Sequence, residues 1–195
     1  MKLLALLSTG IDSPVACYLM LKSGFEIEYL HFATFDSVEK AIEIVKLLKK
    51  YGGKSRLFVI SHEKVMEKIL EIGFDKRYTC VMCKKAMLIV GELTSDELNC
   101  EALITGDNLG QVASQTISNL KAEEEQIEIP VLRPLIGFDK VEIVNMAKKI
   151  GTYEVSIRKE TKCKFVPSKP ATKAKKLQKI DVEKLRKLKV EEIVI

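Results

Sequence analysis

The stretch Leu3-Leu4-Ala5-Leu6-Leu7-Ser8-Thr9-Gly10-Ile11-Asp12-Ser13-Pro14-Val15-Ala16 decides the fold. Its first five residues are an unbroken apolar run that stops at a glycine-containing turn, as expected of a strand buried on both faces of a parallel sheet. A helix should follow from Asp12 and Ser13 to Gly24, because proline suits a first helical turn and glycine suits the position past the last one. The opening imitates the apolar part of a secretion signal but is cut short by Ser8, Thr9, Gly10 and Asp12. No apolar stretch approaches the roughly 20 residues that cross a bilayer, so the expectation is a cytoplasmic protein with no membrane partner.

Working outward, residues 26–33 read as a second strand, and Asp36-Ser37 can cap a helix carrying Val38, Ala41, Ile42, Val45 and Leu48 on one face. Residues 57–60 form a third strand, Ser61 caps a helix to about Ile72, and another helix runs from the Cys80 region to Leu98. Residues 102–106 and 131–132 are a fourth and a short fifth strand, and Asp139-Lys140-Val141-Glu142 has a capping-box pattern. Strands alternating with helices imply an α/β fold, a doubly wound and mainly parallel sheet. Ligands in such sheets bind beyond the carboxyl ends of the strands, which selects the loops 8–13, 31–35 and 106–115. The 195 residues divide into one domain over 1–172 and a Lys-rich helical tail over 173–195 packed on it, without internal repeats.

At 47% hydrophobic and 30% charged residues, with 10 Gly and 5 Pro, the composition excludes disordered and collagen-like chains. The net charge of +5 is unevenly spread. Residues 158–189 hold thirteen Lys and Arg against three Asp and Glu, a net of +10 that leaves −5 elsewhere. Such a basic face fits a polyanionic partner, or else merely solubilises the surface. Five cysteines, two of them in Cys80-Val81-Met82-Cys83, suggest metal or redox chemistry before a disulfide scaffold.

The loop 8–13 lies where free backbone N–H groups and the helix dipole favour an anion. Gly10 allows close approach, and the Ser8 and Ser13 hydroxyls can donate to phosphate oxygens. Neither Gly-x-x-x-x-Gly-Lys-[Ser/Thr] nor Gly-x-Gly-x-x-Gly occurs, which disfavours γ-phosphate cleavage and dinucleotide binding. Asp12 would repel bare phosphates, so its expected role is to hold a bridging Mg2+.

These residues, 8–16, resemble the pyrophosphate loop of PP-loop ATP pyrophosphatases, a HUP-like fold, and most closely the catalytic domain of the tRNA 4-thiouridine synthetases, the ThiI family. The runs 104–116 (ITGDNLGQVASQT) and 131–140 (VLRPLIGFDK), and residues 150–154 onward, extend the resemblance over about 3–172. It implies that ATP is cleaved between its α and β phosphates, that AMP passes to a uridine oxygen of tRNA, and that sulfur displaces it to give 4-thiouridine. It further implies that adenosine rests against the Leu6-Leu7 and His31-Phe32 backbones and is held by Lys84, Gly106 and Gln115. Asp12 and Lys140 match essential family positions near the phosphates. A lysine with Mg2+ is the expected stabiliser of charge on a pentavalent phosphate. The family usually has glycine where Thr9 stands; a β-branched residue resists positive φ, so either this position is extended or the cradle is altered.

Cys80 and Cys83 fall at a helix start, where the dipole and Lys84-Lys85 should favour thiolates. The run 161–172 (TKCKFVPSKPAT) resembles the segment bearing the family's active-site cysteine, here Cys163. Archaeal-type members pair that cysteine with a Cys-x-x-Cys to hold an iron-sulfur cluster, so the resemblance implies Cys80, Cys83 and Cys163 as ligands. A disulfide or persulfide relay and a zinc site are the alternatives. Cys17 and Cys100 read as buried hydrophobes. The family's THUMP and rhodanese domains are missing from this sequence, which leaves RNA to the basic segment, a homodimer or a separate subunit, with the sulfur donor open. The rival functions are adenylation of another acceptor, such as a sulfur-carrier protein of thiamine biosynthesis or another tRNA base, and a non-catalytic nucleotide- or RNA-binding accessory subunit.

Overall fold

The computed structural model describes residues 1–109, 115–161, 163–174 and 177–195. Six strands form one sheet in the order β5-β4-β1-β2-β3-β6: β1 (Lys2–Leu6), β2 (Glu26–Ala33), β3 (Arg56–Ser61), β4 (Ala102–Ile104), β5 (Val131–Leu132) and β6 (Glu191–Val194). All neighbouring pairs are parallel except β3 with β6. The sheet grows one way from β1 through β2 to β3 and the other way through β4 to β5. The order therefore reverses between β1 and β4, and a crevice opens beyond their carboxyl ends.

Why the opening run is a central strand is visible in how its residues divide. Leu3, Ala5 and Leu7 enter one core, and Leu4 and Leu6 enter the other. The first core is closed by α1 (Asp12–Lys22), α2 (Val38–Lys49) and α6 (Lys140–Ile150), and the second by α3 (His62–Leu70) and α4 (Thr79–Leu98). Each fully buried leucine contributes about 2 kcal/mol of transfer free energy. Leu3 and Leu4, both at 0% exposure, thus fix the register of β1 from opposite faces.

Several expected details hold. Gly24 takes φ 85° past α1, Ser61 accepts from the Lys64 N–H at the start of α3, and the Asp139/Glu142 capping box is formed in full. The side-chain cap expected of Asp36-Ser37 is not made, and α1 has none either. At α1 the N-cap is Ile11 and no side chain caps the helix, and Ser37 before α2 spends its hydroxyl on His31 instead. Cys17 and Cys100 are buried.

The Lys-rich helical tail is corrected. Its described part holds only a short helix, Val182–Arg186, and the antiparallel edge strand β6, which pairs Arg56 with Val194 and Val59 with Glu191. The reason is competition for backbone groups. Side chains around α5 (Ile117–Glu123) capture the segment: Thr116 donates to the Thr172 carbonyl, Ser118 to that of Ala174, and Asn119 bonds both Ala171 and Ala174. Gln126 does the same at Ile180. Ala174, Leu177 and Ile180 are buried and anchor the segment. Lys175 and Lys176 lie outside the described residues.

Candidate functional site

At the crevice between β1 and β4, a cavity of about 230 Å³ is lined by Leu6, Ser8, Gly10, Asp12, Ser13, Lys84, Gly106 and Gln115, together with Thr105, Asp107 and Glu123 and the apolar walls Met87 and Leu88. Residues from four separate stretches of sequence thus converge on one space. Leu7, His31, Phe32 and Lys140 do not line it.

The loop is braced by its own hydroxyls. Ser13 Oγ accepts from the Ser8 N–H at 2.8 Å and lies 2.9 Å from Ser8 Oγ, which in turn accepts from the Gly10 N–H at 3.3 Å. Among the described non-glycine residues only Asn99 has positive φ, so Thr9 sits in an ordinary conformation and needs no glycine. Gly10 is not sterically forced either: a Cβ there would meet only Ser8 Oγ, at 3.5 Å. Gly106 is the glycine the geometry demands. A Cβ on it would lie 2.6 Å from Ser13 N and 2.8 Å from Ser13 Cα, because the end of β4 passes directly against the first turn of α1.

Opposite charges arm the cavity. Asp12 accepts from Lys140 Nζ at 2.5 Å, Lys140 being the first residue of α6. Deeper in, Asp107 accepts from Lys84 Nζ at 2.6 Å and from the Thr105 hydroxyl at 2.8 Å, with Gln115 Nε2 at 3.5 Å. Burial alone would raise the Asp107 pKa, but the Lys84 charge and these bonds hold it below the ordinary value. Glu123 is the opposite case. It is 1% exposed, its Oε1 has no hydrogen-bond partner, and burial pushes its pKa up to about 8. Asp107 was visible only as part of the run 104–116, whereas Glu123 sits in a stretch of like charges, KAEEE, where nothing marks one carboxylate as buried.

His31 is committed to structure. Its Nδ1 meets the Leu7 carbonyl at 2.8 Å, which assigns the proton to Nδ1, and Nε2 faces Ser37 Oγ at 2.7 Å. Burial lowers its pKa and keeps the ring neutral. Leu7 also gives its N–H to the Leu30 carbonyl, so both of its backbone groups are occupied, and the Phe32 side chain belongs to the core.

The three cysteines lie on a neighbouring face. Cys163 is exposed and lines a second cavity, of about 550 Å³, with Thr34, Phe35, His62, Lys64, Lys164, Phe165 and Lys189. Cys80 and Cys83 lie in the first turns of α4, and His62 Nε2 is 3.3 Å from Cys83 Sγ. The expected thiolates are not favoured. Burial, joined by the charge of Cys163, raises Cys80, and burial with both other thiols pushes Cys83 up to about 12. Lys84, which opposes these shifts, is committed to Asp107, and the buried Lys85 turns to the Gln178 carbonyl. Three thiols are a suitable donor set for iron. Yet among the described residues no group of three or more His, Cys, Asp or Glu is gathered closely enough to hold a metal ion.

The comparisons with known proteins follow this geometry. Residues 1–189 match the family described as "Thiamine biosynthesis protein (ThiI)". A "Probable tRNA sulfurtransferase" of Methanocaldococcus jannaschii is 46% identical over 178 residues, 89% of this chain and 47% of that protein. One of Thermococcus kodakarensis is 45% identical over 87% of this chain and 46% of its own length. A solved structure, described as a 4-thiouridine synthetase–RNA complex with bound ATP, superposes with a TM-score of 0.87 at 37% identity, covering 98% of this chain and 55% of that one. The chain spans about half the length of the curated relatives it matches.

Proposed function

The chain belongs to the ThiI family, and from that premise we propose that it is the ATP-using part of a tRNA sulfurtransferase that converts a uridine to 4-thiouridine. The convergence of loop 8–13, Lys84, Gly106 and Gln115 on one cavity at the strand-order reversal carries this reading. In the reaction the uridine O4 attacks the α-phosphorus of ATP, diphosphate leaves, and sulfur adds at C4 as AMP departs with the former O4. The bracing hydroxyls of Ser8 and Ser13 hold the loop backbone ready for the diphosphate, which lowers the ordering cost at the moment of binding. Lys140 opposes the negative charge that grows on the α-phosphate, and Asp12 would hold a Mg2+ that supplies further positive charge there.

In this reading Cys163, the exposed thiol of the three, takes a sulfane sulfur from a persulfide donor whose thiol leaves; the terminal sulfur attacks C4 as AMP departs, and a second thiol of the set, within electrostatic reach, then cleaves the S–S bond and closes a disulfide with Cys163 that an external thiol reduces. An iron-sulfur cluster would supply sulfide, but the thiols are not gathered for one in the present arrangement and no step here passes through it. The lysines of the second cavity and the exposed Lys173, Lys179 and Lys187 suit the phosphates of tRNA.

The test is tRNA-dependent ATP–pyrophosphate exchange, followed by mass analysis of the nucleosides after incubation with a persulfide donor and a thiol reductant. Exchange with a new 4-thiouridine peak is the expected result. Exchange that requires a sulfur-carrier protein instead of tRNA would transfer the adenylation to that acceptor, and the absence of exchange with either would leave an accessory subunit.

A further inference from the structure

Thr9, which departs from the pyrophosphate-loop pattern, is not a passive replacement. Its side chain is buried, and its hydroxyl donates to Glu160 Oε2 at 2.6 Å. Glu160 also accepts from Lys40 Nζ at 2.9 Å and from the Thr34 hydroxyl at 3.3 Å. Lys40 in turn donates to the carbonyls of Arg158 at 3.2 Å and Ser156 at 3.5 Å, and the Ser156 hydroxyl reaches the Gly10 carbonyl at 3.2 Å. Immediately beyond, Thr161 bonds Asp36 through both its N–H, at 3.1 Å, and its hydroxyl, at 3.0 Å. Cys163 is two residues further along, and Thr34 and Thr161 both line its cavity.

One carboxylate therefore joins three stretches distant in sequence: the phosphate loop, the turn after β2, and the chain that leads into Cys163. Glycine at position 9 has no side chain with which to make this link. Burial of Glu160 would raise its pKa, and the donors from Thr9 and Lys40 outweigh it, so the carboxylate stays charged and the bonds are charge-assisted. A rearrangement of loop 8–13 around a diphosphate must move or strain the Thr9 hydroxyl, and the strain passes to residues 156–161 because their backbone is held by the same network.

We propose that Thr9 and Glu160 are positioning residues that couple nucleotide occupancy of the phosphate loop to the placement of the segment bearing Cys163. The proposal rests on the nucleotide reading of the loop and deepens it. It assigns to the pair the ordering of the Cys163 segment while the phosphate loop is occupied, so that the thiol is brought into place before diphosphate leaves and sulfur is delivered to the adenylated uridine.

The experiment is amide hydrogen exchange of peptides spanning residues 156–165, on the full chain with and without saturating Mg-ATP, with calorimetry run in parallel to show binding. Expected is a slowing of at least about fivefold in the parent on adding Mg-ATP, the lower end of usual coupling strengths. Glu160→Gln, each sample saturated with its own nucleotide, should respond by less than about twofold, Thr9→Val likewise, and Thr9→Ser should restore the response because only the hydroxyl matters. A simple loss of packing would raise exchange equally with and without nucleotide and would not be rescued by serine. Calorimetric heat in the parent with no change in exchange, or a full response in both Glu160→Gln and Thr9→Val, overturns the coupling and leaves the nucleotide reading intact. An absence of heat in the parent removes both.

Discussion

The nucleotide cavity and the cysteine face lie side by side but are built on opposite terms. In the first, the charged groups Lys84 with Asp107 and Lys140 with Asp12 are already paired, and the backbone is fixed by buried strands. In the second, the reactive groups are held back: burial and the neighbouring thiols push Cys83 up to about 12, and among the described residues no set of three ligands is gathered closely enough to hold a metal ion. On the reading proposed above, the side that would take the nucleotide is preorganised, whereas the side that would take the sulfur is not in its reactive arrangement. Away from the Thr9–Glu160 link, removal of a reactive group on one side should leave the chemistry of the other working.

Cys163→Ser gives the largest separation. Sulfur transfer to tRNA should fall by at least about 10³-fold, as expected for loss of a group that acts by covalent or direct transfer. Pyrophosphate exchange should keep at least half of the parental rate. Loss of both together in nucleoside analysis and exchange assays would show that the two regions do not act separately.

Lys140→Ala should cost about 10²–10³-fold in exchange, the size found when one charged stabiliser of a transition state is removed. The thermal midpoint should move little, because the pair with Asp12 is partly exposed. Gly106→Ala sharpens the contrast from the side of packing. The new methyl would sit 2.6 Å from Ser13 N, and backbone on both sides can yield only by separating β4 from α1. A loss of about 3 kcal/mol on denaturant unfolding is expected, at the upper end for overpacking. Weaker Mg-ATP binding should accompany it in calorimetry.

The same contrast explains what could be read in advance. The apolar run 3–7, the alternation of elements and the Asp139 capping box act within a few residues of themselves, so local periodicity carries them into the fold. Loop 8–13 was legible because a strand end and a helix start meet there. The tail was not, since its conformation is set by side chains of Thr116, Ser118 and Asn119 some 55 residues away, which outbid a helix for its backbone groups. The thiol environment of Cys80 and Cys83 was misjudged for a related reason: helix position and neighbouring lysines argue for thiolates, but enclosure and the approach of Cys163 decide the sign. Nor could composition pick Glu123 from its acidic neighbours, as only packing against the cavity wall distinguishes it.

Glu123 offers the smallest and most exact test of preorganisation. Its pKa is raised from an ordinary 4.5 to about 8, so between these values the folded protein keeps a proton that the unfolded chain has released. Stability from this group is therefore fully present below the unfolded pKa and is lost as pH rises through about 8. Glu123→Gln cannot ionise and lacks this loss. Thermal melts of parent and variant from pH 6 to pH 9 should diverge in favour of the variant by on the order of 1–2 kcal/mol, a few degrees in midpoint for a chain of this size. A constant difference across that range would mean that Glu123 finds a partner for its charge. The contrast between the preorganised cavity and the cysteine face would then be stronger, because this carboxylate would no longer be held back for want of a partner, leaving Gln115 Oε1 as the unpartnered polar atom of the described cavity lining.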